Sequence, residues 1–128
     1  TMNIQTFIFN WRGQYEKTLE KIEQLKEFDV TPIIINSDDL HRDEGWHNIG
    51  EESYFTAQFL KAIELFDGDA LFHIQADASY DDWSKIYKGA VDCFDTYNWG
   101  IYAPNVDYTK QRNVTSIFLH TRWDGVLI

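Results

Sequence analysis

The chain has 128 residues, 44% of them hydrophobic and 16% aromatic, which excludes a disordered tail and bounds the architecture to about one domain. Its formal net charge of −10 works against nonspecific attraction to nucleic acid or to an anionic membrane. A single cysteine, Cys93, excludes an internal disulfide, and no apolar run reaches the ~20 residues of a membrane span. The opening TMNIQTFIFNW lacks the basic region of a signal peptide, so a reducing, cytoplasmic location is expected.

Residues 4–9, IQTFIF, read as a strand rich in β-formers, followed by the loop Asn10-Trp11-Arg12-Gly13. Tyr15, Leu19, Ile22, Leu25 and Phe28 recur at helical spacing and predict an amphipathic helix. VTPIII, residues 30–35, predicts a second strand, with Pro32 near its start where a missing N–H is tolerated. Asn36 to Gly50 is polar and reads as a long loop.

A second helix is predicted from Glu51 to Phe66. The dipole favours Glu51 and Glu52 at its start, Gly68 is placed to end it, and its wide apolar arc predicts deep burial. Ala70 to Ile74 predict a third strand. Ser79 and Asp82 form a capping-box-like pattern before a third helix with Trp83, Ile86, Tyr87, Ala90, Phe94 and Tyr97 on its core stripe. Trp99 to Ala103 and Val114 to Leu119, extending to Trp123, read as further strands. Asp124-Gly125 is a turn pair that normally joins two strands. With three residues after it, the chain reads as a piece of a longer protein.

Strands alternating with helices predict an α/β fold: an open, mostly parallel sheet with helices on both faces. Ligands of such sheets bind beyond the carboxyl ends of the strands. Three such ends carry polar groups: Asn10-Trp11-Arg12, Asn36-Ser37-Asp38-Asp39 and Gln75-Ala76-Asp77. Carboxylates without a basic counterpart suit a hard cation, Mg²⁺ or Mn²⁺, shared with a diphosphate, which makes Asp77 the candidate metal ligand. An Asp between a strand and a helix is often only a turn or cap residue. Trp11 suits stacking on a nucleobase or filling core. His41 and His47 with Asp43 or Glu44 read as a solvated loop rather than a metal site, His73 as a core histidine and Cys93 as helix packing. Neither a dinucleotide glycine fingerprint nor a P-loop is present, and Asn10-Trp11-Arg12-Gly13 is not the glycine-rich opening of a nucleotidyltransferase.

TFIFNWRGQYEKTLEKIEQL, VTPIIINSDD and NIGEESYFTAQFLKAIELFDGDALFHIQADAS, in that order and spacing, resemble the donor-binding half of a GT-A-fold glycosyltransferase of the broad family 2 kind. The likeness covers roughly residues 4–80. It implies that residues 1–128 are one nucleotide-sugar-binding domain, incomplete at its C-terminal end. The implied activity is metal-assisted transfer of a sugar from a nucleoside-diphosphate donor to a hydroxyl of a glycan, lipid or protein acceptor, at a membrane surface where the acceptor is lipid.

The resemblance implies that Asn10, Trp11, Arg12, Asn36, Asp38, Asp39 and Gln75 contact the nucleotide and that Asp77, matching the last Asp of a D-x-D motif, holds the metal. The sequence departs from the pattern at Gln75, a neutral amide in the place of the first Asp. No counterpart of the family's general base precedes residue 128: Asp107 and Asp124 are acids outside any matching motif. The other expectation is therefore a noncatalytic GT-A-like domain that binds a nucleotide, a sugar or a protein.

Overall fold

A computed structural model describes residues 3–78, 82–96, 101–102, 119–123 and 126–127, with side chains described up to Thr96. The expected Tyr97, the loop acids Asp107 and Asp124, Ser79 and residues 114–118 lie outside them. The elements in chain order are β1 (Ile4–Asn10), α1 (Tyr15–Lys26), β2 (Ile33–Asn36), β3 (His47–Asn48), α2 (Phe55–Leu65), β4 (Ala70–Gln75), α3 (Trp83–Thr96), β5 (Ile101–Tyr102), β6 (Leu119–Trp123) and β7 (Val126–Leu127).

The strands form one sheet in the order β3-β2-β1-β4-β6-β5, with β7 paired to β6. The first four run parallel, and β6 is antiparallel to β4, β5 and β7. The class is thus α/β with an open parallel sheet at its centre. The β6–β7 pairing, Arg122 opposite Leu127 and Trp123 opposite Val126, flanks the expected turn at 124–125.

Helices cover both faces. The side chains of β1 and β4 alternate, as a pleated strand requires. Ile8, Phe72 and Ile74 join Leu25 of α1 and Trp83, Ile86, Ala90 and Phe94 of α3 in one core. Phe7, Phe9 and Leu71 join Ala62 of α2, and Phe66 just after it, in the other. Phe72 is fully buried, its ring 4.9 Å from that of Tyr87. Burying side chains of this size contributes ~1.5–3 kcal/mol each.

Local chemistry sets the boundaries. Pro32 brings no N–H to a ladder, and β2 begins one residue after it. α1 stops at Lys26 and the chain turns at Asp29, whose φ of 62° lies in the left-handed region that Asp tolerates. Asp82 starts α3: its carboxylate accepts from the Ser84 N–H at 3.0 Å, the side-chain cap that an N-terminus needs.

Four expectations are corrected. The long loop after β2 contains β3, because His47 and Asn48 extend the parallel ladder beside Ile35 and Asn36. α2 begins at Phe55, so Glu51 and Glu52 precede it instead of starting it. Gly68 does not cap α2, which ends at Leu65; its missing side chain lets the backbone pass Asn3, whose carbonyl oxygen would lie 3.0 Å from a Cβ. Nor is α2 deeply buried: Leu60 is 62% exposed and Phe55 42%.

Phe72→Ala should lower unfolding free energy by ~3–5 kcal/mol in urea denaturation, the range for emptying a buried aromatic site. Leu60→Ser, on the exposed side of α2, should change it by less than ~0.5 kcal/mol.

Candidate functional site at the carboxyl ends of the central strands

Register brings the three polar strand ends together. Asn10 lies opposite Asn36, and Phe9 opposite Gln75, so β2, β1 and β4 finish side by side. The chain moves from β1 outward to β2 and β3, then returns through α2 to β4 on the other side of β1. The order therefore reverses between β1 and β4, and ligand crevices in open α/β sheets form at such a switch point.

The predicted residues divide into three groups there. Asn10, Asn36 and Asp38 are buried and engaged with one another. The Asn10 amide donates to Asn36 Oδ1 at 2.8 Å, and Thr18 of α1 donates to Asn10 Oδ1 at 2.6 Å. The Asn36 amide lies 2.9 Å from the Asp38 carbonyl, 2.7 Å from that of His41 and 2.6 Å from Asn48 Oδ1. Asp38 returns its own N–H to Asn36 Oδ1 at 2.9 Å. These side chains, expected as nucleotide contacts, hold the ends of β1, β2 and β3 together and do not line the cavity described next.

Burial pushes the Asp38 carboxyl pKa up, but hydrogen bonds from His41 and from the Leu40 N–H outweigh it and hold the group below its ordinary value. His41 Nδ1 is 2.8 Å from Asp38 Oδ2, and its ring stacks on Tyr15 at 4.0 Å. Tyr15 in turn donates to Asp43 at 2.9 Å, which raises the phenol's pKa. His41, Asp38 and Asp43, with Tyr15, thus pin the segment between β2 and β3. Among the described residues no group of three His, Cys, Asp or Glu side chains is arranged for a metal.

Trp11, Arg12 and Gln75 form the second group. They line a cavity of about 400 Å³ together with Ser37 from the β2 end and Tyr54, Phe55 and Gln58 from the start of α2. Strand alternation puts Gln75 on the α2 face, in line with Leu71 and His73; His73 is buried against Phe9, ring to ring at 4.4 Å. Gln58 donates to the carbonyls of Asn10 at 3.0 Å and Ile35 at 3.3 Å, fixing α2 to the ends of β1 and β2. Ser37 is only 3% exposed, and its Oγ has no hydrogen-bond partner among the described residues. A buried hydroxyl left unpaired costs free energy, which a ligand hydroxyl or carbonyl in the cavity would recover.

The third group lies outside this cavity. Asp39 is exposed, accepts from the Glu51 N–H at 3.3 Å and borders a separate recess of about 620 Å³ with Glu51 and Glu52. Asp77, in the turn after β4, does not line the cavity. It lies near enough to Lys21 of α1 to act on its charge. Burial lowers the Lys21 pKa; Glu20 and Asp77 oppose that shift. With Gln75 neutral and Lys21 nearby, the donor set at Asp77 is sparse, and Mg²⁺ or Mn²⁺ there would depend on phosphate oxygens from a ligand.

The cavity residues from α2 were not expected. The signal was in the topology: a helix that precedes a parallel strand starts at the rim where the preceding strands end, so Ser53, Tyr54 and Phe55 had to lie beside Trp11 and Ser37. The architecture is that of an α/β domain with a cavity at its switch point. Comparisons with protein-family models, curated proteins and solved structures found no match. No helix among the described residues is long and apolar enough to cross a membrane.

Asn36→Ala should cost ~1–3 kcal/mol of stability, because it strands buried partners, and the loss should appear in urea melts. For Asp38 the folded pKa lies below the unfolded value of about 3.9. Its contribution is therefore complete above that pH and disappears as pH falls through the lower, folded pKa. Stability measured from pH 6 to pH 2 should fall less steeply in Asp38→Asn than in the wild type.

Proposed function

We propose that this chain is the donor-binding portion of a glycosyltransferase, taking the nucleoside of a nucleoside-diphosphate sugar into the cavity at the β1–β4 switch point. The observation that carries the reading is the cavity itself, whose lining combines the aromatic side chains of Trp11, Tyr54 and Phe55 with the hydrogen-bonding residues Ser37 and Gln75. A flat base between aromatic faces and a ribose on hydroxyl and amide groups match that division. Arg12 at the mouth supplies the cation that a diphosphate needs. The sugar would then extend from the mouth toward an acceptor, in the cytoplasm or at a membrane surface where the acceptor is a lipid.

In transfer, negative charge grows on the leaving diphosphate as the sugar bond breaks, and groups already in place around it lower the barrier. Arg12 is one such group. Asp77 is the residue that would hold Mg²⁺ or Mn²⁺ against the phosphates, and a bound cation adds further charge stabilisation.

A noncatalytic nucleotide- or sugar-binding domain is the second reading. The position of Asp77 outside the cavity lining and beside Lys21 favours it, as does the neutral Gln75.

Melting with a panel of nucleosides and nucleoside diphosphates, with and without Mn²⁺, tests both. A ligand that binds only the folded chain raises the midpoint. Uridine or guanosine diphosphate should raise it, and Trp11→Ala should weaken binding by roughly tenfold or more, the ~1–3 kcal/mol of a base–aromatic stack. A further Mn²⁺-dependent rise that Asp77→Ala removes supports the transferase. A nucleotide response indifferent to both selects the noncatalytic domain, and no response to any nucleotide contradicts the proposal.

A further inference from the structure

The cavity mouth carries one internal contact that its framework does not require. Arg12 Nη2 donates to Glu51 Oε2 at 2.8 Å, and Arg12 Nε is paired with the other oxygen of the same carboxylate. This is the two-pronged geometry in which a guanidinium takes a carboxylate or a phosphate. Both side chains line the cavity, and both stay in solvent, 53% and 38% exposed. An exposed pair of this kind contributes little to stability.

Arg12 is the sole cation among the described residues lining the cavity, in a chain of net charge −10. Ser37, whose buried Oγ has no partner among the described residues, lines the same cavity. The cavity therefore combines an unpaired hydroxyl with a cation already engaged by an internal anion.

We infer that Glu51 is an internal stand-in for the ligand's phosphate: it holds the Arg12 guanidinium at the mouth, and an incoming diphosphate takes its place. The identity of the phosphate donor as a nucleotide rests on the reading of the cavity given above; the exchange at Arg12 does not.

The physics sets the direction of the effect. A terminal phosphate carries up to about two negative charges at neutral pH and presents several strong acceptor oxygens, against one charge and two oxygens on Glu51. Once displaced, Glu51 swings toward Asp39 and Glu52, which border the neighbouring recess with it. Their like charge opposes that movement, so Glu51 taxes binding of every anionic ligand and leaves neutral ligands untouched. The pair thus selects for ligands with enough negative charge to win the exchange. Glu51 acts here through Arg12, as a positioning residue.

Isothermal titration of the wild type, Glu51→Gln, Arg12→Gln and the double variant with three probes tests this. The probes are uridine, uridine diphosphate and inorganic pyrophosphate. Both side chains are exposed, so all four proteins should melt alike, and matching melts verify that folding is intact.

Glu51→Gln should bind pyrophosphate and uridine diphosphate about 3- to 10-fold more tightly and uridine unchanged. Arg12→Gln should lose the gain that the diphosphate adds over uridine, and the double variant should match Arg12→Gln because Glu51 has nothing left to hold. Equal pyrophosphate affinity in wild type and Glu51→Gln, or none in either, overturns the exchange, whatever uridine does. A pyrophosphate response of the expected kind without any uridine binding upholds the exchange and removes the nucleotide reading instead.

Discussion

The carboxyl-terminal rim of this sheet depends on one hydrogen bond between two buried amides, Asn10 and Asn36. Parallel strands end with backbone groups that have no further ladder to join, and burial makes unpaired groups expensive. The Asn36 side chain meets that demand after β2, and Asn10 holds it in place from β1. Asn36 also gathers the segment after β2 through the carbonyls of Asp38 and His41, and Asn48 ties in β3. Thr18 locks α1 to the same point. With these side chains committed inward, their neighbours Trp11 and Ser37 are left to face the cavity. The framework and the site are thus alternate residues of the same segments.

That alternation explains both what was legible in the sequence and what was not. β1, β4 and the three helices follow from apolar periodicity, and the parallel sheet follows from their alternation. The polar character of the three strand ends was also legible, but that they meet at one rim depends on β2, β1 and β4 being neighbours in the sheet. What the sequence does not print is which side chain at each tip turns inward. Asn10 and Trp11 are adjacent, both chemically able to meet a nucleotide, and only the pleat of β1 and the presence of Thr18 opposite decide between them.

β3 was hidden because two residues, His47 and Asn48, carry no hydrophobic pattern; the ladder beside β2 makes them a strand. The exposed side of α2 was misjudged for a related reason. Phe55 and Leu60 are apolar, but α2 meets the sheet along Gln58 and Ala62, and the stripe that packs is narrower than the stripe that is apolar. Glu51 read as part of a helix start until the position of Arg12, distant in sequence, gave it a partner.

The chemistry at the rim is divided in space. Aromatic and neutral hydrogen-bonding residues line the cavity with a single guanidinium, and the carboxylates Asp39 and Asp77 lie outside its lining. The proposed ligand has a flat apolar portion and an anionic portion to match these groups. The account stands on that match between cavity and ligand. It is tested most directly by a crystal structure of the protein grown with uridine or guanosine diphosphate. The base is expected between Trp11 and Phe55 with a ligand oxygen within hydrogen-bonding distance of Ser37 Oγ. A nucleotide bound elsewhere on the chain, with the cavity between β1 and β4 unchanged, would contradict it.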